Sequence, residues 1–369
     1  MQKKRCHSEH KKRRRNHCKI IDLFSGCGGL SLGFKNAGYE IMCGVDVDEK
    51  ALETFKYNFP DSETINIDLS NKQKLSEFIS VYKSKKPDVI IAGPPCQGFS
   101  LTGPRKFNDK RNSLYLAVFA CVEKIKPQAF LIENVTGIAG LYKGAILKKI
   151  KEKFTALGYN VSAEILSSAE YGVPQIRKRM FIVGVKKKSG IFVFPQTIYS
   201  EKNYVSCKEA IGDLPSREKE LGTEKDIYTR KPRTEYQILM RNGKEILYNH
   251  VATDHKDFVR EVIAQVPEGG NYKDLPEGVG KSRRFNEAWT RYHSKKPSRT
   301  IDTGHRNHFH YRYNRVPTIR ENARLQSFSD DFVFLGTKTQ QNKHVGNAVP
   351  PLLGKLLAEK IAGYLKAKK

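Results

Sequence analysis

Cys96 sits in Gly93-Pro94-Pro95-Cys96-Gln97-Gly98-Phe99-Ser100, directly after the apolar run Asp88-Val89-Ile90-Ile91-Ala92. That run predicts a buried parallel strand. A cysteine just past the end of such a strand stands where open α/β sheets bind their ligands. The prolines stiffen the turn, and the glycines on either side let a substrate approach the backbone. A thiolate held there is a nucleophile; the same residues also fit a structural cysteine buried in a tight turn. Glu133 repeats the arrangement. It follows the apolar run Ala129-Phe130-Leu131-Ile132 and lies 37 residues beyond Cys96, one strand–helix–strand unit, so both side chains can reach one pocket. A partly desolvated carboxyl holds its proton to higher pH and can donate it; the alternative role for Glu133 is to cap the next turn. Arg177 and Arg179, in Gln175-Ile176-Arg177-Lys178-Arg179, share a face if that segment is extended. Their planar forks suit a carboxylate or a phosphate, although such a run also occurs on plain charged surfaces.

A second group of residues points to a bound nucleotide-like ligand. Lys19-Ile20-Ile21-Asp22-Leu23-Phe24 reads as a strand, Ser25-Gly26-Cys27-Gly28-Gly29 as the turn after it, and residues 30–36 as a helix closed by Gly38. Glycines at such a corner let a ligand come close to the main chain, and a simple tight turn has the same composition. A second strand at 41–45 leads into Asp46, 20 residues after Gly26. At that separation an acid meets ribose hydroxyls in folds of this kind. Neither G-x-G-x-x-G nor a phosphate-binding lysine motif is present, so the ligand need not carry phosphates.

These groups require an open sheet with helices between its strands. Besides the strands above, 161–166 and 180–185 read as a pair flanking Arg177 and Arg179, while 113–124 and 144–157 have helical periodicity. Residues 101–112 are polar and basic, a loop bordering Cys96 that is either mobile or merely solvated. From 187 to 300 the chain is polar and the strand–helix alternation stops, which marks a smaller second domain. Within it Pro267-Glu268-Gly269-Gly270-Asn271 and Trp289-Thr290-Arg291-Tyr292 read as ordered turns or loops. His308-Phe309-His310-Tyr311-Arg312-Tyr313 interleaves aromatic and basic residues, which suits a groove gripping a backbone or an ordinary β-ribbon. Thr318 with Glu321 makes a capping box, and residues 352–365 form an amphipathic helix.

Lys and Arg number 66 against 39 Asp and Glu, a formal net charge of +27. That excess calls for a polyanion. No apolar run approaches the roughly 18 residues of a membrane span and none near the start resembles a signal-peptide core, so nucleic acid is the better partner. Seven cysteines, an odd number without a C-x-x-C, suit a reducing compartment rather than a disulfide framework. Residues 1–19 are basic, including Lys11-Lys12-Arg13-Arg14-Arg15, with too little apolar content to fold alone. Cys6, His7, His10, His17 and Cys18 match no standard zinc finger, and no metal is expected.

The octapeptide around Cys96 closely resembles the active-site loop of the cytosine-5 DNA methyltransferases. Six separate motifs of that family occur in the family's order from residue 20 to residue 354, over nearly the whole catalytic region. The resemblance implies a Rossmann-like, S-adenosylmethionine-dependent α/β domain with a smaller inserted target-recognition domain. It divides the chain into a basic disordered tail at 1–18, a catalytic domain at 19–186, a recognition domain at 187–342 and a segment at 343–369 that returns to the catalytic domain. Cys96 becomes the nucleophile at carbon 6 of a cytosine flipped out of duplex DNA. Glu133, in Glu133-Asn134-Val135, stabilises a proton on ring nitrogen 3, with Arg177 and Arg179 of a complete Q-x-R-x-R pattern in support. Phe24 would lie against the cofactor's adenine, Asp46 would hold its ribose, and Asp68 would contact the adenine. Gly26, Gly28, Gly29, Leu69, Pro95, Leu114 and Asn347 complete the implied cofactor site. Val47 stands where the family often has an aromatic residue, so stacking there is expected to be weaker.

The implied activity is that of a DNA (cytosine-5-)-methyltransferase of a type II restriction system. Its expected partners are double-stranded DNA and a restriction endonuclease that acts on the same sequence without forming a stable complex. A monomer in the cytoplasm, associated with the nucleoid, is the default. An RNA-modifying branch shares the architecture, but the long recognition interval and the G-P-P-C-Q-G-F-S loop favour DNA. A non-catalytic DNA-binding regulator would have lost Cys96, Glu133 or the cofactor residues, and none is lost. A small-molecule methyltransferase leaves the charge and residues 187–300 unexplained.

Overall fold

The computed structural model describes residues 18–95, 113–140, 144–279, 288–304 and 307–365. Cys96, the loop that follows it and the basic segment before Cys18 lie outside the described residues. The first half of the chain lays down β1 (Lys19–Leu23), α1 (Gly29–Asn36), β2 (Glu40–Asp46), α2 (Glu49–Asn58), β3 (Glu63–Asn66), α3 (Lys72–Lys85) and β4 (Val89–Ala92). After it come α4 (Ser113–Ile125), β5 (Ala129–Val135), the single turn α5 (Gly137–Gly140), α6 (Ala145–Ala156), β6 (Tyr159–Ser167) and β7 (Lys178–Lys186). The seven strands form one sheet in the order β3-β2-β1-β4-β5-β7-β6. The first five are parallel, and β7 runs antiparallel to both β5 and β6. This is the α/β architecture that the motifs imply.

Alternation along the strands feeds two cores. Ile20, Val89 and Ile91 face Leu30, Phe34 and Phe55 of α1 and α2, while Ile21, Ile90 and Ala92 face Phe78, Val118 and Phe154 of α3, α4 and α6. Because both faces are covered, the central strands have no polar side, which is why they read as unbroken apolar runs. Asp48 and Asn71 cap α2 and α3 by accepting backbone N–H bonds, so each helix starts where its sequence supplies an oxygen.

The second half is sparser in regular structure. It holds α7 (Cys207–Ile211), the antiparallel pair β8 (Lys225–Ile227) and β9 (Ile246–Tyr248) with α8 (Glu235–Arg241) between them, and α9 (Asp257–Gln265). The short parallel pair β10 (Thr290–Arg291) and β11 (His308–Phe309) follows, then α10 (Ile319–Leu325), α11 (Lys338–Asn347) and α12 (Pro351–Ala362). Contact with α2 is already made upstream of α11. Asn58 Nδ2 donates to the Val333 carbonyl at 2.8 Å, and the Leu335 N–H donates to Thr54 Oγ1 at 3.0 Å. Helix α12 then docks on α1 through paired glycines: a Cβ on Gly33 would lie 2.7 Å from the Gly354 carbonyl carbon.

Buried charge organises this second half. Arg324 reaches Asp213 at 2.5 Å and Asp330 at 2.6 Å, and Arg241 joins Asp213 at 2.6 Å. Glu321 is both the second half of the Thr318 capping box and the partner of Arg315, which grips it with two bonds of 2.7 Å. Burial works to raise the Glu321 carboxyl, but Arg315 and then His310 outweigh it and hold it well below the usual carboxylate range. A depressed value adds stability above the unfolded-state value of about 4.3 and loses it as pH falls through the folded one. Glu321→Gln strands a buried guanidinium, so urea unfolding at neutral pH is expected to show a loss of about 3–5 kcal/mol. The gap to the unaltered protein should narrow below about pH 4, where the native carboxylate begins to lose its advantage.

The aromatic and basic run at 308–313 lies largely inside the protein. His308, Phe309, His310 and Tyr313 are buried, and Arg312 is exposed. It is therefore a core segment beside β10, and the reading as a groove for a nucleic-acid backbone fails on burial. Pro267 to Asn271 forms the expected ordered turn, with the Gly270 N–H donating to the Pro267 carbonyl and Asn271 opening a capped 3₁₀ turn.

Candidate active site

The carboxyl ends of β1, β2, β4 and β5 converge. Glu133 lies near the end of β5, flanked by antiparallel β7, whose register sets Val135 opposite Arg179. Arg179 Nε lies 3.2 Å from Glu133 Oε1, with both side chains mostly buried. Burial raises the Glu133 pKa, and Arg179 and Arg177 only partly oppose it. The carboxyl thus keeps a proton to higher pH than an ordinary glutamate while remaining oriented by a cation. Arg177, just before β7, is 2% exposed, and its Nη1 donates to the Gly346 carbonyl at 3.0 Å. Burial first, then Arg179, makes its charge harder to hold, and its Nε has no hydrogen-bond partner among the described residues. Both arginines therefore act on Glu133, although Arg177 precedes the strand and its firm contact is to a carbonyl far along the chain.

Gly93 links this carboxyl to the glycine-rich corner. A Cβ there would lie 3.9 Å from Glu133 Oε2 and 3.8 Å from the Phe24 carbonyl oxygen. Pro94 is buried and Pro95 exposed, so the chain enters the Cys96 loop from between Phe24 and Glu133. Cys96 itself is outside the described residues.

Phe24, half-buried, follows β1 with φ at 60°, a left-handed backbone that a bulky side chain seldom adopts. At the next turn the Gly26 N–H donates to Asp46 Oδ2 at 2.8 Å, and the Asp48 N–H to Oδ1 at 2.9 Å. Each carboxylate oxygen retains a further lone-pair site for a hydroxyl. Burial raises the Asp46 pKa, and these amides work against it. Val47 is 70% exposed beside it. Asp68, two residues past β3, is exposed and accepts the Ser70 N–H at 2.8 Å. Leu69 is buried in the core with Phe78, whereas Leu114 at the start of α4 is half-buried.

The three glycines of the corner divide by what surrounds them. Gly26, at φ 51°, faces open space. A side chain on Gly28 would strike Phe59 at 2.5 Å, and one on Gly29 would strike the Val349 carbonyl at 2.6 Å. Gly26 thus borders room for a ligand, while Gly28 and Gly29 let the protein close on itself. The segment that closes on Gly29 follows directly from α11, whose end also packs on this corner. Cys27 Sγ lies 3.6 Å from the His344 carbonyl, Lys343 pairs with Asp48 at 2.7 Å, and exposed Asn347 ends the helix there.

Three contributors escaped the sequence reading. Lys343 ties α11 to the residue capping α2, and Gly346 supplies the acceptor for Arg177. Asp22 is buried in β1, where Ser31 Oγ donates to it at 2.7 Å and burial pushes its carboxyl up to about 8. An acid inside the apolar run of β1 was the available signal for Asp22. Nothing local marks the other two.

The family model of C-5 cytosine-specific DNA methylases matches residues 18–363. The chain belongs to that family. It is 37% identical over 344 residues to the type II methyltransferase M1.HphI of Haemophilus parahaemolyticus, covering 92% of this chain and 86% of that protein. It is likewise 37% identical over 372 residues to the type II methyltransferase M.DdeI of Desulfomicrobium norvegicum, covering 94% and 89%. Among solved structures, a protein of an E. coli prophage assigned as a DNA modification methyltransferase superposes with a TM-score of 0.75 at 28% identity, over 94% of this chain and 98% of that one. The methyltransferase EhMeth of Entamoeba histolytica shares the fold, with a TM-score of 0.59 at 17% identity over 94% and 98%. The protein is accordingly a cytosine-5 DNA methylase, and membership implies S-adenosylmethionine as its cofactor. No helix among the described residues is long and apolar enough to cross a membrane.

Proposed function

We propose that this methylase acts through a covalent adduct between Cys96 and a cytosine flipped out of one short duplex sequence, as the modification enzyme of a type II restriction system. The observation that carries the mechanism is Glu133: a buried carboxyl with a raised pKa, held by Arg179 at 3.2 Å, beside the glycine that leads to Cys96. The restriction context rests on the relatives, which are type II methyltransferases. Duplex DNA hides carbon 6, so the base must leave the stack to reach such a pocket.

The corner at Phe24, Gly26 and Asp46 fits S-adenosylmethionine. Open space lies at Gly26, and the half-buried Asp46 carboxylate beside it has lone pairs free for ribose hydroxyls. Asp68, Val47, Leu114 and Asn347 would border the same ligand, and when bound it supplies an electrophilic methyl group to carbon 5. The rest is work for the chain's own residues. The Cys96 thiolate forms a bond to carbon 6, and its electron pair makes carbon 5 nucleophilic. Glu133 shares its proton with ring nitrogen 3, so the ring accepts that charge without becoming an anion. Arg179 orients the carboxyl, and Arg177 fixes the Gly346 backbone next to Asn347. Loss of the carbon 5 proton to a base then expels the Cys96 sulfur and restores the ring.

Cytosine-methylation sequencing of DNA from an expression host without cytosine methylation tests the whole reading. Methylation confined to one short motif is expected; an unmethylated genome in the presence of folded protein overturns it. For the cofactor residues, Asp46→Ala removes a charged acceptor worth about 1.5–3 kcal/mol. Titration calorimetry should show S-adenosylmethionine binding weakened by roughly 10–100-fold, and Asp68→Ala should weaken it less because Asp68 is exposed.

A further inference from the structure

The end of the sheet opposite Glu133, where β1, β4 and β5 begin and α3 and α4 end, carries a basic concavity that methyl transfer does not use. Its cavity of about 590 Å³ is lined by Lys19, Lys83, Lys85, Lys86, Lys124 and Lys126. The one acid in the lining, Asp88, is engaged within the fold: it accepts the Lys19 N–H and Gln128 Nε2, each at 2.9 Å. Lys85 pairs with Glu63 at 2.6 Å, Lys124 with Glu123 at 3.2 Å and Lys19 with Glu40 at 3.5 Å. Lys83, Lys86 and Lys126 make no ion pair among the described residues.

The backbone at two of these lysines is unusual. Lys86 and Lys126 both adopt left-handed conformations, with φ at 50° and 58°, and each stands directly before a proline. Glycine is the least strained residue at such helix ends, yet lysine occupies both. A helix C-terminus favours a nearby cation. That accounts for one lysine per helix, and not for three from the end of α3 facing Lys19 and two from the end of α4. The positive field continues along the end of β7, where burial and then Lys126 and Lys188 work against the charge on Lys186. Like charges gathered around a concavity repel one another until a polyanion neutralises them.

We propose that this lysine-lined cavity is a second contact surface for the phosphate backbone of duplex DNA. The cavity opens where β5 begins, and Glu133 lies four residues further along that strand, roughly 13 Å away at about 3.3 Å per residue, at the opposite end of the sheet. A duplex engaged at Glu133 therefore leaves the cavity free, and the occupant is a second DNA segment. Holding two segments lets the methylase pass from one to the other without release into solvent, a route that backbone-only contacts support because they carry no sequence information.

The test acetylates the lysines of the full-length protein with N-hydroxysuccinimide acetate while mixed-sequence duplex is added in increasing ratio. Lys83, Lys86 and Lys126 are expected to lose reactivity severalfold once duplex exceeds one per protein. Unchanged reactivity at every ratio overturns the proposal, as does protection by RNA but not by duplex. The charge-reversed K83E/K86E/K126E protein supplies a second readout. Its methylation of a short single-site duplex should match the unaltered protein, while the slope of log affinity against log salt for long duplex falls by about 2–3, at about 0.9 per phosphate contact. An unchanged slope overturns the proposal. Because single-site methylation is read on the same samples, failure of the patch is distinguishable from failure of the catalytic reading.

Discussion

Cys96→Ser is expected to reduce methyl transfer by on the order of 10⁴–10⁶-fold, the scale seen when a covalent nucleophile is removed. A serine hydroxyl is a weak nucleophile unless a neighbouring base activates it, whereas a thiol reaches its reactive anion near neutral pH. The glycine corner and Asp46 are untouched by this change, so S-adenosylmethionine affinity measured by calorimetry should stay within about twofold, well under the 1.4 kcal/mol that a tenfold change represents. Loss of cofactor binding together with activity would show instead that Cys96 is structural. Gel-stable adducts with duplex carrying 5-fluorocytosine should form with the unaltered protein and fail with the serine variant.

The second large effect is at Glu133. Glu133→Gln keeps the shape and a hydrogen bond but has no proton to give, so kcat is expected to fall by about 10²–10⁴-fold. The pH profile separates this role from a structural one. Burial raises the Glu133 pKa, so the carboxyl stays protonated and active at low pH, and activity falls as pH rises through its value. That alkaline limb should vanish in the glutamine variant. Arg179→Met removes the first cation that opposes the shift. The carboxylate then becomes harder to form, and the limb should move to higher pH. A limb that moves down, or does not move, would falsify the assignment of Arg179 as the residue that tunes Glu133.

Much of this site was legible along the chain because its chemistry sits on local punctuation. A parallel strand buried on both faces reads as an apolar run, and the residue after the run is placed at the ligand edge of the sheet by the direction of the chain. The apolar runs Val89 to Ala92 and Ala129 to Ile132 meet that condition, which marked the Cys96 loop and Glu133 in advance; β5 itself continues through Glu133 to Val135. The capping box at Thr318 and Glu321 is equally local, since it needs only a three-residue spacing.

Other features depend on which distant segments meet. Gly28 and Gly29 look like cofactor glycines in sequence, yet their missing side chains make room for Phe59 and Val349. The run from His308 to Tyr313 has the composition of a nucleic-acid groove, and burial beside β10 makes it core. Composition is identical for both outcomes; only the elements packed around the run decide between them. Arg177 finds its acceptor at Gly346, and Asp48 finds Lys343, across 169 and 295 residues. The sequence by itself determined the family and the sheet, and it named the candidate reactive groups, because each rests on short-range patterns of residue type. Tertiary structure alone decided which cation lies against Glu133, which glycine of the corner faces open space and where lysines without an ion pair among the described residues gather, because those depend on distances between segments that no local pattern encodes.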